Sequence, residues 1–291
     1  MSLDLDVVLN WPFVETTHSY TERDVILYAL GTGLGQDPTN QRELPYLYEQ
    51  GLRVLPTMGS VIGHPGPWYR DPRTGIDWIH VVQGEQRLTI HNPLATHDTV
   101  LNRSRVVDVE DKGPDRGAIV RWQRTLTRSS TGELLCTVES TLFCRADGGF
   151  GGPSRPKAAA EIWPDEPPSE VIDTRISTRA ALIYRLSGDL NPLHVDPKIA
   201  VEAGFERPIL HGLCTFATVA YALLSGVGDG DTSALESVSA RFSAPVYPGE
   251  TLRTNVWASK GRARFRTICL DRDVIVLDSG EMRLRGRESD K

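Results

Sequence analysis

Cysteine is scarce: four residues in a chain of 291, Cys136, Cys144, Cys214 and Cys269, each inside an apolar run. No two of them stand at the spacing of a metal knuckle or a redox pair. This argues against a disulfide framework and leads us to expect buried free thiols in a reducing compartment. Long apolar runs are missing too, so no transmembrane helix is expected, since spanning a bilayer takes roughly 18 or more consecutive apolar residues. The N-terminal MSLDLDVVLNW has no basic region leading into an apolar one, and the C-terminal RESDK is no peroxisomal address. The expected location is therefore the cytosol. Nor is there a cationic excess: 32 Lys and Arg stand against 38 Asp and Glu, a net charge of −6. Nucleic acid and membrane surfaces are thereby poor partners, because neutralising phosphates takes clustered excess positive charge. An anionic ligand would have to be met by a local basic patch.

What is present is ordinary for a soluble globular protein: 40% hydrophobic and 24% charged residues. Thr21 is placed to cap a helix through ERDVILYALGTG, with Val25, Leu27, Tyr28 and Leu30 on its apolar side. The GTGLG that ends it, Gly31 to Gly35, is a poor dinucleotide fingerprint, because its glycines follow a helix instead of opening one after a strand. HPGPWYRDPRTGID reads as a loop pinned by Trp68 and Tyr69 beside Arg70 and Arg73, or as a wall over a ligand. From Trp78 to Arg145 the runs WIHVVQGEQRLTI, TVLNRSRVVDVEDKG, GAIVRWQRTLT and ELLCTVESTLFCR predict antiparallel strands. Residues 146–170, rich in Gly and Pro, read as a linker. Ser177 is then placed to cap a helix, ISTRAALIYRLSGD; an apolar helix, LCTFATVAYALLSG, follows, and three strands close the chain.

The second half thus repeats the first. Tyr28-Ala29-Leu30-Gly31 falls on Tyr184-Arg185-Leu186-Ser187, and HNPLATHDTV falls on SAPVYPGETL at nearly the same offset. Two helix-plus-curved-sheet units are the plan of an α+β double hotdog, with a supporting, substrate-binding repeat at 1–145 and a catalytic repeat at 171–291. On this superposition Gly33 takes the place of Asp189 and Pro38 that of His194, so the polar chemistry belongs to the second half.

That chemistry lies in YRLSGDLNPLHVDP. Gly188 and the Asn191-Pro192 pair break the helix, and a residue before proline is pushed towards extended backbone. Asp189 and His194 are then presented five positions apart from a constrained turn. A carboxylate and an imidazole so placed can orient and deprotonate one water, with Asn191 supplying a neutral hydrogen bond. Downstream, in PILHGLCTF, Gly212 opens the apolar helix, where unpaired N–H groups favour developing negative charge. Together they suit addition of water across a double bond conjugated to a carbonyl.

The run at 184–197, followed by GFERPILHGLCTF, resembles the signature of the R-specific (type 2) enoyl-CoA hydratases of the MaoC-like family, which include the hydratase portion of peroxisomal multifunctional enzyme type 2. YALGTG, LPTMGSVIG, QGEQRLTIHNPL, GGFGG and ARFSAPVYPGETL extend the resemblance over nearly the whole chain. It implies a double hotdog that hydrates trans-2-enoyl-CoA to (3R)-3-hydroxyacyl-CoA. Asp189 and His194 would be the catalytic pair, Asn191 would help hold the water, and the Gly212 amide would bind the thioester oxygen. Coenzyme A enters as part of the substrate, so no separate cofactor is expected.

For the coenzyme A phosphates the candidates are Arg241, Arg253 and Arg264. His211 reads as structural and His80 as a hydrogen-bonded strand residue, while His18, His64, His91 and His97 have no evident partner. A metal held by Asp189, His194 and Asp196 lacks a full coordination shell, so none is expected. Two other readings stay open: a hotdog acyl-CoA thioesterase, in which the water attacks the carbonyl, and a non-catalytic acyl-CoA-binding subunit. A homodimer is expected by analogy with the fold.

Overall fold

The computed structural model describes residues 3–156 and 162–286. Ten strands form one antiparallel sheet: β1 (Thr16–Tyr20), β2 (Val81–Ile90), β3 (Asp98–Asp111), β4 (Ala118–Arg128), β5 (Leu134–Cys144), β6 (Glu170–Arg175), β7 (Leu235–Phe242), β8 (Thr251–Ser259), β9 (Arg262–Cys269) and β10 (Val274–Leu284). Their order across the sheet is β1-β3-β4-β5-β2-β7-β10-β9-β8-β6. The first five positions mirror the last five about the β2–β7 seam, where Leu88 lies opposite Val238. This is the topology of a double hotdog. Alternation places the inner side chains: β4 buries Val120, Trp122, Arg124 and Leu126 and turns Arg121 and Gln123 outward.

Five helices accompany the sheet: α1 (Leu5–Leu9), α2 (Glu22–Gly31), α3 (Ala180–Tyr184), α4 (Pro197–Glu202) and α5 (Gly212–Gly226). The longest, α5, carries buried side chains from Cys214 to Ala220 and at Leu223 and Leu224, as an apolar helix enclosed by a sheet should. Thr21 starts α2 as expected, its backbone N–H and its hydroxyl both donating to Asp24 at 2.8 Å. The residues matched by the internal repeat meet in space. The rings of Tyr28 and Tyr184 are 5.8 Å apart, and a Cβ on Gly31 would come within 2.9 Å of the Tyr184 Cα, so only glycine permits this crossing. Among the described residues no helix is long and apolar enough to cross a membrane.

Two expectations need correction, and two strands went unpredicted. Ser177 caps no helix: its hydroxyl accepts from Arg179 N in a turn, and α3 runs only from Ala180 to Tyr184 before tightening into a 3-10 turn, Arg185–Ser187. Gly188, at φ 126°, ends it there. The two halves do not each hold a long inner helix, for the first half's inner face is covered by the 3-10 turn Pro56–Ser60 and the residues after it. The edge strands β1 and β6 carry no apolar alternation and escape a pattern-based reading, β1 being exposed except at Tyr20.

The turn over the first half is fastened by Arg124. This fully buried guanidinium donates to the carbonyls of Gly59, Ser60 and Ile62, and burial lowers its pKa to about 10. Removing it strands three carbonyls in the interior. Arg124→Met, close in length and apolar, is therefore expected to destabilise the protein by about 3 kcal/mol in denaturant unfolding. A midpoint equal to that of the parent would show that the carbonyls find other partners.

Candidate active site

Three side chains from the second half converge. Asp189 follows the αL-side turn at Gly188, His194 ends the 3-10 turn Pro192–His194, and His211 is the residue before α5. One ligand-type atom from each lies within 4.8 Å of the others. Their local bonds fix which atoms remain free. His194 Nδ1 is 2.9 Å from the Ile209 carbonyl, which can only accept, so Nδ1 carries the proton and Nε2 keeps its lone pair. By the same logic His211 Nε2–H donates to the Asp189 carbonyl at 3.1 Å, leaving Nδ1 as a buried acceptor without a protein partner. The two imidazoles stack with centroids 3.7 Å apart and planes 28° from parallel.

Burial pushes the pKa of His194 below its ordinary value of 6.5, opposed by the Asp189 charge and the bond to Ile209. His211 is lowered further, by burial and then by the neighbouring His194. Both rings are therefore neutral near pH 7, the form in which Nε2 of His194 can take a proton. Asp189 is exposed, and its Oδ1 accepts from Asn191 N at 3.2 Å. The Asn191 Oδ1 in turn accepts from Leu193 N, capping the 3-10 turn and leaving the amide nitrogen as its free donor. Asp196 is not part of the cluster; it caps α4 by accepting from Lys198 N.

Gly212 opens α5 under the ring of Phe242, where a Cβ would lie 3.2 Å from the Phe242 Cε1. The first α5 amides to find carbonyl partners are those of Cys214 and Thr215, both donating to His211 O. The Gly212 N–H thus belongs to the unpaired start of the helix, a stretch of positive potential.

Residues 160–279 match the family model described as "MaoC like domain", and residues 18–146 match that described as "MFE-2 hydratase 2 N-terminal domain". The chain belongs to the MaoC-like hydratase 2 family. It is 38% identical to the enoyl-CoA hydratase ChsH3 of Mycobacterium tuberculosis, over 96% of this chain and 98% of that one. It is 36% identical to the peroxisomal enoyl-CoA hydratase 2 of Arabidopsis thaliana, over 98% of this chain and 96% of that one. Among solved structures, a MaoC-like dehydratase from Phytophthora capsici superposes with a TM-score of 0.85 at 28% identity, covering 99% of this chain and 100% of that one.

Beyond the residues legible in its signature, this MaoC-like chain brings in others. His211, expected to be structural, stacks on His194 and donates to the Asp189 carbonyl; its place beside Gly212 is the sequence signal for that proximity. His64, read as a loop histidine, has its ring 5.5 Å from that of Trp122. His64 is exposed at the surface, and neighbouring atoms and the Arg124 charge push its pKa down against the opposing field of Asp189. Tyr69 also lies within electrostatic reach of Asp189. Trp68 is no surface pin: it is buried among Trp11, Phe13 and Trp122, closing one end of the first half.

His80 is hydrogen-bonded as expected, to Asp77 at 2.8 Å, although it ends a 3-10 turn and not a strand. The three arginines singled out for phosphates lie on the outward face and are engaged there. Arg241 pairs with Asp278 at 3.0 Å, Arg253 grips Asp173 through two nitrogens at 2.8 and 2.7 Å, and Arg264 lies over the Trp163 ring. Arg185 is the cation that acts electrostatically on His211.

Proposed function

We propose that this chain adds water to trans-2-enoyl-CoA to give (3R)-3-hydroxyacyl-CoA. The observation that carries the reading is the free Nε2 of a neutral His194 beside the Asp189 carboxylate, next to the unpaired start of α5. The Asp189–His194 pair holds the water and takes one of its protons as the oxygen bonds to Cβ. Electrons of the double bond move to the thioester oxygen, whose charge the Gly212 N–H meets. A proton from the same pair then completes the bond at Cα, so H and OH of one water are both accounted for. The Asn191 amide helps hold that water.

The pair needs neither a metal nor a dissociable cofactor for these steps, coenzyme A arriving with the substrate. Arg241, Arg253 and Arg264 stay the sequence's candidates for its phosphates, with Arg185 added by proximity to His211. Four buried free thiols suit a reducing compartment such as the cytosol, and a homodimer is the assembly we expect of this fold. Incubation with medium-chain trans-2-enoyl-CoA should abolish the absorbance of the conjugated thioester, at the same rate after chelator treatment. Coupling to R- and S-specific dehydrogenases reads the stereochemistry. Unchanged absorbance across chain lengths would refute the proposal, and release of free thiol would turn it into a thioesterase.

A further inference from the structure

Along the inner face of the first half, side-chain character changes twice. On β4, Val120 and Trp122 belong to an apolar cluster at one end of the face and Leu126 to the main core, with Arg124 between them. On β5 the succession is Leu142, Ser140, Val138; on β3 it is Val106, then Ser104 and Asn102, then Val100. Gln86 stands at the same level on β2, opposite Ser140, which is opposite Trp122; Arg124 in turn is opposite Ser104. A polar seam therefore crosses four strands between two apolar clusters.

The seam is buried and its hydrogen bonding is incomplete. Gln86, Asn102 and Arg124 are each at most 2% exposed. Yet Gln86 Nε2, Trp122 Nε1, Arg124 Nε, Asn102 Oδ1, Ser104 Oγ and Ser60 Oγ have no partner among the described residues. The Gln86 carbonyl is held by Ser140 Oγ at 2.7 Å and Gln83 Nε2 at 3.2 Å, which fixes the direction of its amide nitrogen. Three of the six unpaired groups are pure N–H donors. Buried donors in such number call for acceptor atoms that the chain does not supply.

Two members of the seam lead towards the proposed catalytic groups. Trp122 touches His64, which feels the Asp189 charge. Gln86 lies opposite Ala240, and Phe242, two residues along the same strand, covers Gly212. On the hydratase reading, an acyl chain extending from the reacting carbons into the first half would meet this seam.

We infer that the seam receives an acceptor oxygen carried by the acyl group, such as a ketone or an ether, and so makes the enzyme selective for oxygenated over purely alkyl enoyl-CoA. This rests on the hydratase reading and deepens it. A site built to hydrogen-bond a substrate oxygen penalises the analogue lacking it far more than an apolar pocket penalises a missing methylene.

The test compares kcat/KM for trans-2-enoyl-CoA substrates of equal chain length, one set with a keto group moved stepwise along the distal chain and one all-methylene. At one keto position or more, the wild type should prefer the oxygenated substrate by about tenfold or more. That ratio should fall towards parity in Gln86→Leu and in Trp122→Phe, the second of which keeps the aromatic packing. Equal rates at every position in the wild type would overturn the inference, leaving the seam to ordered water only. So would a preference that survives both substitutions. Crotonyl-CoA, which carries no distal chain, is assayed alongside with the wild type. Hydration of crotonyl-CoA without discrimination defeats this inference alone, whereas no hydration of any substrate defeats the hydratase reading.

Discussion

Asp189→Asn and His194→Gln are each expected to lower kcat on trans-2-enoyl-CoA by about 10²–10⁴-fold while leaving the fold intact, the span typical of a lost positioned acid or base. The fold should survive because neither charge is needed inside. Asp189 is exposed, and the Gln side chain can still donate to the Ile209 carbonyl as His194 Nδ1–H does. The two losses should not add in the double variant, since the pair works on one water. The pH profile is a second readout. His194 must be neutral to accept a proton, and burial sets its pKa below 6.5. Activity should thus hold as pH falls to 6.5 and decline only below it, on an acid limb that His194→Gln removes. Near-parental rates in either single variant would show that the water is activated elsewhere.

A comparable loss is expected when the amide at the start of α5 is deleted. Gly212→Pro removes the N–H and little else: the first helical position accepts proline, and His211 is already extended, at ψ 134°, as a residue before proline must be. The obstacle is the Phe242 ring, 3.2 Å from where a Cβ would sit, so the change is best made in a Phe242→Ala background. Relative to that background, kcat should drop about 10²–10³-fold, as for other deleted oxyanion donors, with the larger part of the effect in kcat and not KM. A double variant as fast as Phe242→Ala alone would take the Gly212 amide out of the chemistry.

Much of this was legible before any fold was known. Turn-forming Gly188 and Pro192 around Asp189 and His194 announced a rigid polar site, because backbone restriction is a local property of residue type. The strand runs between Trp78 and Arg145 were equally clear, since alternation is imposed by one buried face. Tyr28 and Tyr184, matched in the sequence comparison of the halves, pack together in space. Less legible were β1 and β6, edge strands held by backbone pairing more than by burial, and the cover of the first half, where Arg124 reaches from β4 to carbonyls more than 60 residues earlier in the chain.

By itself, then, the sequence determined the family and the double hotdog, and it nominated Asp189 and His194 as the acid–base pair beside the helix α5. Each of these is carried by short-range spacing or by a periodic pattern. Only the tertiary structure decided how those groups are poised. It ties His194 Nδ1 to Ile209 and so frees Nε2, stacks His211 on it, and brings His64 and Tyr69 from the other half into the field of Asp189. It also exposed the polar seam of the first half, for Gln86, Ser140, Arg124 and Ser104 are distant in sequence and become neighbours only through strand register. Tautomers, stacking and unpaired buried donors depend on what lies within a few ångströms, and that is set by packing, not by order along the chain.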